Sequence, residues 1–171
     1  MTLTTEFRRD SDLEAIYLLG DFGVRLDGPK RTLIALLETL AIGDICAQGL
    51  PFYTGCVTYH LPAFEGVVEL PEVGGACVRV NGQAIPWPPY TTTIPPFAKP
   101  EGGVSEERAH GGRLDVTVVL TRRNLFGPLH LVPKQQAAYG PGHWVTEGKN
   151  WSDDYQLYPS GLLAAPCGTR G

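Results

Sequence analysis

Hydrophobic and polar residues alternate with a period of two along much of this chain, and most cleanly near its centre. Leu114, Val116, Val118 and Leu120 form one row, opposed by Asp115, Thr117 and Thr121. Successive side chains of a strand point to opposite faces, so this pattern predicts a half-buried strand. Val57, Tyr59 and Leu61 repeat it against Cys56, Thr58 and His60, and Val68 and Leu70 continue the inward row beyond a turn at Gly66. Ala76, Val78 and Val80 make a further inward row with Arg79 outward. It ends at Asn81-Gly82, a dipeptide suited to a hairpin turn.

The flanking segments read less uniformly. Residues 1–13 are polar and aperiodic and read as a tail or linker. Residues 15–24 (AIYLLGDFGV) are rich in strand formers, with Gly20 as a bend. Leu33, Leu36, Leu37 and Leu40 have the spacing of a short amphipathic helix after Pro29, and fit equally a strand and turn leading into Gly43. Prolines 86, 88, 89, 95 and 96 make a stiff extended connection that excludes a central strand. Residues 98–113 read as an exposed loop. Short strands punctuated by turns predict an all-β chain, an antiparallel β-sandwich of jelly-roll type spanning 14–166, with 167–171 as a C-terminal tail.

Composition narrows the function. A length of 171 residues suits one domain with a real core, and 21 glycines with 15 prolines favour many turns over a helical bundle. The formal net charge is −4 and basic residues never cluster beyond pairs, which argues against a nucleic-acid partner. The longest apolar stretch, 33–45, is interrupted by Glu38, Thr39 and Gly43 and is too short for a membrane span. The four cysteines lack CxxC spacing and the N-terminus lacks an apolar signal core, so reduced thiols in the cytoplasm are expected.

Three segments carry a resemblance: 43–59 (GDICAQGLPFYTGCVTY), 76–83 (ACVRVNGQ) with Pro88, Pro89 and Tyr90 after it, and 113–130 (RLDVTVVLTRRNLFGPLH). Together they resemble the galactose-binding-like jelly roll of family-two glycoside hydrolases. Residues 48–53 and 123–128 resemble more specifically the C-terminal part of large bacterial glycoside hydrolase or rhamnosidase-like proteins. The resemblance implies a module flanking a catalytic barrel, with carbohydrate or that catalytic domain as partner. It hands over no catalytic residues, because a (β/α)₈ barrel takes ~250 residues.

The residues themselves offer little chemistry. Glycoside hydrolysis needs two carboxylates roughly 5–10 Å apart across the scissile bond. Asp153 and Asp154 are adjacent, and in extended chain such neighbours point to opposite sides. His60, His110, His130 and His143 contain no His-x-His pair, and Gly140, Pro141 and Gly142 oppose a helix that would join His143 to Glu147. No catalytic residue, metal ligand or cofactor is therefore assigned, and Cys56 and Cys77 read as inert packing residues. Sugar binding asks only for an aromatic face and nearby planar polar groups. Trp87, Tyr90, Trp144, Trp151 and Tyr155 lie in turn-rich segments able to present them, with Asn81, Gln48, Asn124, Asn150 and Asp153 as polar candidates. Plugging the ends of a sandwich is the more ordinary role for any one of these aromatics.

Overall fold

The computed structural model describes residues 16–95, 113–134 and 138–169, with positions 4, 6, 8 and 9 of the leading segment. The strands are β1 (Gly23–Asp27), β2 (Lys30–Ile34), β3 (Cys56–Pro62), β4 (Gly66–Glu69), β5 (Val73–Gly74), β6 (Cys77–Val80) and β7 (Gln83–Ile85). They continue with β8 (Thr91–Ile94), β9 (Arg113–Val119), β10 (Gly161–Leu162) and β11 (Cys167–Thr169). The described helices are α1 (Arg123–Phe126) and one 3₁₀ turn (Pro141–His143). Among the described residues the strands form four antiparallel sheets, ordered β3-β9-β6-β7, β11-β4-β8, β1-β2 and β10-β5.

The largest sheet is built by the alternation itself. Its register aligns Val57, Val118 and Val78 in one row and Tyr59, Val116 and Val80 in the next. All six side chains are buried, and they meet Val68 of β4, Leu70 just beyond it, Ile94 of β8 and Leu162 of β10 in one core. Two sheets sharing a core is the packing of a β-sandwich, so the all-β expectation holds. A fully buried valine contributes about 1.5–3 kcal/mol, which makes these rows the main source of stability.

Turn chemistry fixes the hairpins. Asn81 and Gly82 both have positive φ (48° and 83°), the two-residue turn whose twist matches its strands. The Asn81 side-chain oxygen accepts the Asp115 N–H at 2.9 Å and its own N–H donates to the Asp115 carbonyl at 2.8 Å, tying this turn to β9. The proline-rich connection holds a strand the sequence did not announce, β8, which lies at a sheet edge among the described residues and so is not a central strand.

Several expectations change. Among the described residues of the 15–24 run only Gly23 and Val24 enter a strand; Ile16 through Leu19 pair with no described strand and stay exposed. The leucine segment does not form the helix. Asp27-Gly28 turns the chain back with Gly28 at φ 55°, so Pro29 sits in a hairpin turn instead of a helix start. Leu33 lies on β2, and Leu33, Leu36 and Leu37 remain exposed. Ala76 is exposed because β6 begins one residue later. Cys56 faces solvent, so it is not a packing residue. Cys167–Thr169, within the segment read as a tail, pairs with β4. The loop read over 98–113 lies outside the described residues as far as 112.

Two outcomes test this arrangement. Val118→Asp should abolish the cooperative unfolding transition, since it places a charge in a fully buried row; a parent-like melt would remove the core assignment. Asp115 accepts from His60 Nδ1 at 2.8 Å and from Arg113 Nε at 2.7 Å, and these bonds hold its carboxyl below the ordinary range. A lowered folded value stabilises above the unfolded pKa of ~3.9 and is lost as pH falls through the folded one. Urea midpoints of Asp115→Asn should therefore lie below the parent's at pH 7 and converge with them in strong acid.

Candidate functional site

The segments after β9 have little regular structure, so their backbone must be satisfied by side chains. Asn124, in α1, is 4% exposed and does most of this. Its Oδ1 accepts the Tyr158 N–H at 2.9 Å while its Nδ2 donates to the Tyr158 carbonyl at 2.7 Å. Asp44 Oδ1 accepts the N–H groups of Cys46 and Ser160, each at 3.0 Å, drawing the 44–46 turn onto the same place. Burial, assisted by the Asp44 charge, pushes the Cys46 thiol up to about 12 and keeps it protonated near neutrality. Gly161 follows with φ 104°; a Cβ there would sit 2.6 Å from the Tyr59 hydroxyl, which accepts the Leu162 N–H.

From this anchor the chain runs through 127–134 and returns through 150–158. Ser152 N–H donates to the His130 carbonyl, Val132 N–H to that of Asn150, and Gln156 N–H to that of Leu129. These bonds bring together rings distant in sequence. The His130 imidazole stacks on Trp151 at 4.3 Å and 22°, and lies 4.6 Å from Tyr155. His130 Nδ1 lies 2.8 Å from the Ser152 carbonyl, which only accepts; Nδ1 therefore carries the proton, and Nε2 is the acceptor of the neutral ring. Asp153 accepts the Trp151 indole N–H at 3.0 Å. The β1–β2 hairpin completes the cluster: Arg31 lies over the Tyr155 ring at 5.3 Å. Trp151, His130 and Tyr155 are half-buried, whereas Asp153, Asp154 and Arg31 are exposed.

A second ring group lies alongside. The Arg123 guanidinium is buried over Tyr139 at 4.8 Å and Tyr158 at 5.1 Å, so among the described residues the ring faces are its counterpart. Both tyrosine hydroxyls donate to the Lys134 carbonyl. Burial, then the Tyr139 hydroxyl, raises the Tyr158 phenol.

Of the residues proposed from sequence, the structure gathers Trp151, Asp153 and Tyr155. The others fall elsewhere or are engaged. Trp87 stands exposed after β7, and Tyr90 is half-buried against the core with its carbonyl accepting the Leu70 N–H. Asn81 is held by β9. Gln48 spends both ends of its amide on the backbone of Ala41 and Asp44. Asn124 is structural, Asn150 is exposed, and exposed Trp144 donates its indole N–H to the Phe126 carbonyl. His130 and Arg31 were missed, because neither lies near Trp151 in sequence and only the long-range pairing joins them. Among the described residues no group of three His, Cys, Asp or Glu is arranged to hold a metal ion, and no helix is long and apolar enough to cross a membrane. No protein-family model, curated protein or solved structure matches the chain.

The anchor is directly testable. Asn124→Ala should cost about 1–3 kcal/mol for each Tyr158 backbone group left buried and unpaired. Urea denaturation at neutral pH measures it, and a midpoint equal to the parent's would show that the amide is dispensable.

Proposed function

We propose that this protein is a non-catalytic ancillary module of carbohydrate-active machinery that binds a saccharide weakly at the Trp151 cluster. The observation that carries this reading is the grouping of Trp151, His130 and Tyr155 with Asp153, Asp154 and Arg31 at their exposed rim. Saccharide recognition pairs a flat apolar ring face with planar polar groups, and this cluster supplies both. The resemblance to galactose-binding-like jelly rolls points to the same class of ligand. Membership of that group, its jelly-roll connectivity and a cytoplasmic setting belong to the same proposal.

A second reading, a bracing module without a ligand site, is favoured by the exposed apolar side chains of Ile16, Leu18, Leu19, Leu36 and Leu37. Large apolar side chains left exposed in such number point to contact with another protein surface. A small glycoside-acting hydrolase is the weakest reading, since Asp153 is already bonded to an indole and Asp154 is its immediate neighbour in the chain.

Tryptophan fluorescence titrated with mono- and oligosaccharides separates these readings. A saturable change that Trp151→Ala abolishes and Trp87→Ala leaves intact is expected. No response to any saccharide would reject sugar binding in favour of bracing. Turnover of a nitrophenyl glycoside that disappears in Asp153→Asn or Asp154→Asn would overturn the non-catalytic assignment.

A further inference from the structure

The face of the molecule beside β3 carries an inference independent of the saccharide reading. Among the described residues, β3 is the outermost strand of its sheet and pairs with β9 alone. Leu120 N–H donates to the Gly55 carbonyl, and the antiparallel register then makes Val57, Tyr59 and Leu61 the residues that exchange bonds with β9. The N–H and C=O groups of Thr58 and His60 consequently point away from the sheet. No main-chain bond joins them to another segment among the described residues. Natural edges are blunted by lysine, proline or bulges. Along β3 the one such residue is Pro62, which ends the strand, and Cys56 through Leu61 contain neither lysine nor proline.

This open edge forms one wall of a trough of about 650 Å³. Leu36, Leu37, Leu40, Ile42 and Tyr53 line it as well, and all but Leu40 are exposed. Asp21 and Glu38 stand at the rim, and neither is in an ion pair among the described residues. An unpaired backbone edge beside an apolar trough is the arrangement that accepts an added strand: main-chain bonds supply affinity, and alternate side chains enter the trough.

We infer that β3 receives an extended polypeptide strand with alternating apolar side chains and basic flanking residues. The basic flanks follow from the Asp21 and Glu38 carboxylates, which pair with no cation among the described residues. A second copy of this chain fits less well, because it would bring its own 36–42 wall against the same space. A strand spanning β3 covers its 7 residues, a length of about 23 Å.

The test uses fluorescein-labelled peptides of about nine residues alternating valine and threonine, ended by lysine in one and glutamate in the other, read by fluorescence anisotropy. The lysine-ended peptide should bind saturably, and the glutamate-ended one about tenfold or more weaker. Thr58→Pro removes an outward N–H and spares the main-chain bonds to β9, and should weaken binding at least about tenfold; Thr58→Val, which loses the same Thr117 hydroxyl bond but keeps that N–H, should not. Leu37→Asp changes an exposed side chain, leaves the fold intact, and should weaken binding similarly. Absence of saturable binding to the parent, or parent-like binding by both Thr58→Pro and Leu37→Asp, would overturn the proposal. Equal binding of the two peptides would overturn the basic flanks. A parent dimer that Thr58→Pro renders monomeric would replace the added strand by a second copy.

Discussion

The part of this molecule that has no ladder of its own depends on one side-chain amide. Asn124 pairs with both main-chain groups of Tyr158, as a neighbouring strand would, and thereby substitutes for a sheet where the chain provides none. Asp44 performs the complementary task for the 44–46 turn and for Ser160. Three segments far apart in sequence are thus fixed to one another. The antiparallel crossing of 129–132 with 150–156 is built outward from that point, and the ring cluster exists only because the crossing is held. Buried polar groups of this kind are costly unless every partner is present, which makes the arrangement all-or-none.

How much of this was legible in the sequence follows from which forces are local. The rows of β3, β6 and β9 were readable because alternation is a local consequence of strand geometry and a one-residue slip would turn each row to water. The Asn81-Gly82 turn was readable because few residues tolerate its backbone. The 30–40 segment was misleading since leucines at helical spacing also arise where a hairpin leads into an exposed stretch, and Asp27-Gly28 outweighed them. The cluster was only half legible: Trp151, Asp153 and Tyr155 are neighbours in the chain, whereas His130 and Arg31 arrive through tertiary pairing that no spacing encodes. Asn81, Gln48 and Asn124 have the chemistry of ligand contacts, but each is consumed by backbone, which a list of residue types does not reveal.

The β1–β2 hairpin stands between the two surfaces described. The residues that precede it, Gly20, Asp21 and Phe22, line the trough beside β3, and Arg31 on its second strand reaches Tyr155. Val24 donates to the Gly49 carbonyl at 2.7 Å, and no hairpin residue belongs to the buried core cluster. An element held mainly by its own ladder opens at lower free energy than the sheets it rests on.

The register of the largest sheet also decides the redox behaviour of the chain. Cys56 and Cys77 both stand opposite Val119, one on each side of it, on the face turned away from the core. Two strand spacings separate them, about 9–10 Å, beyond the reach of a disulfide. Oxidation in air therefore cannot close a bond between these strands; Cys56 is exposed, so covalent dimers and mixed disulfides are species to look for whenever reductant is withdrawn.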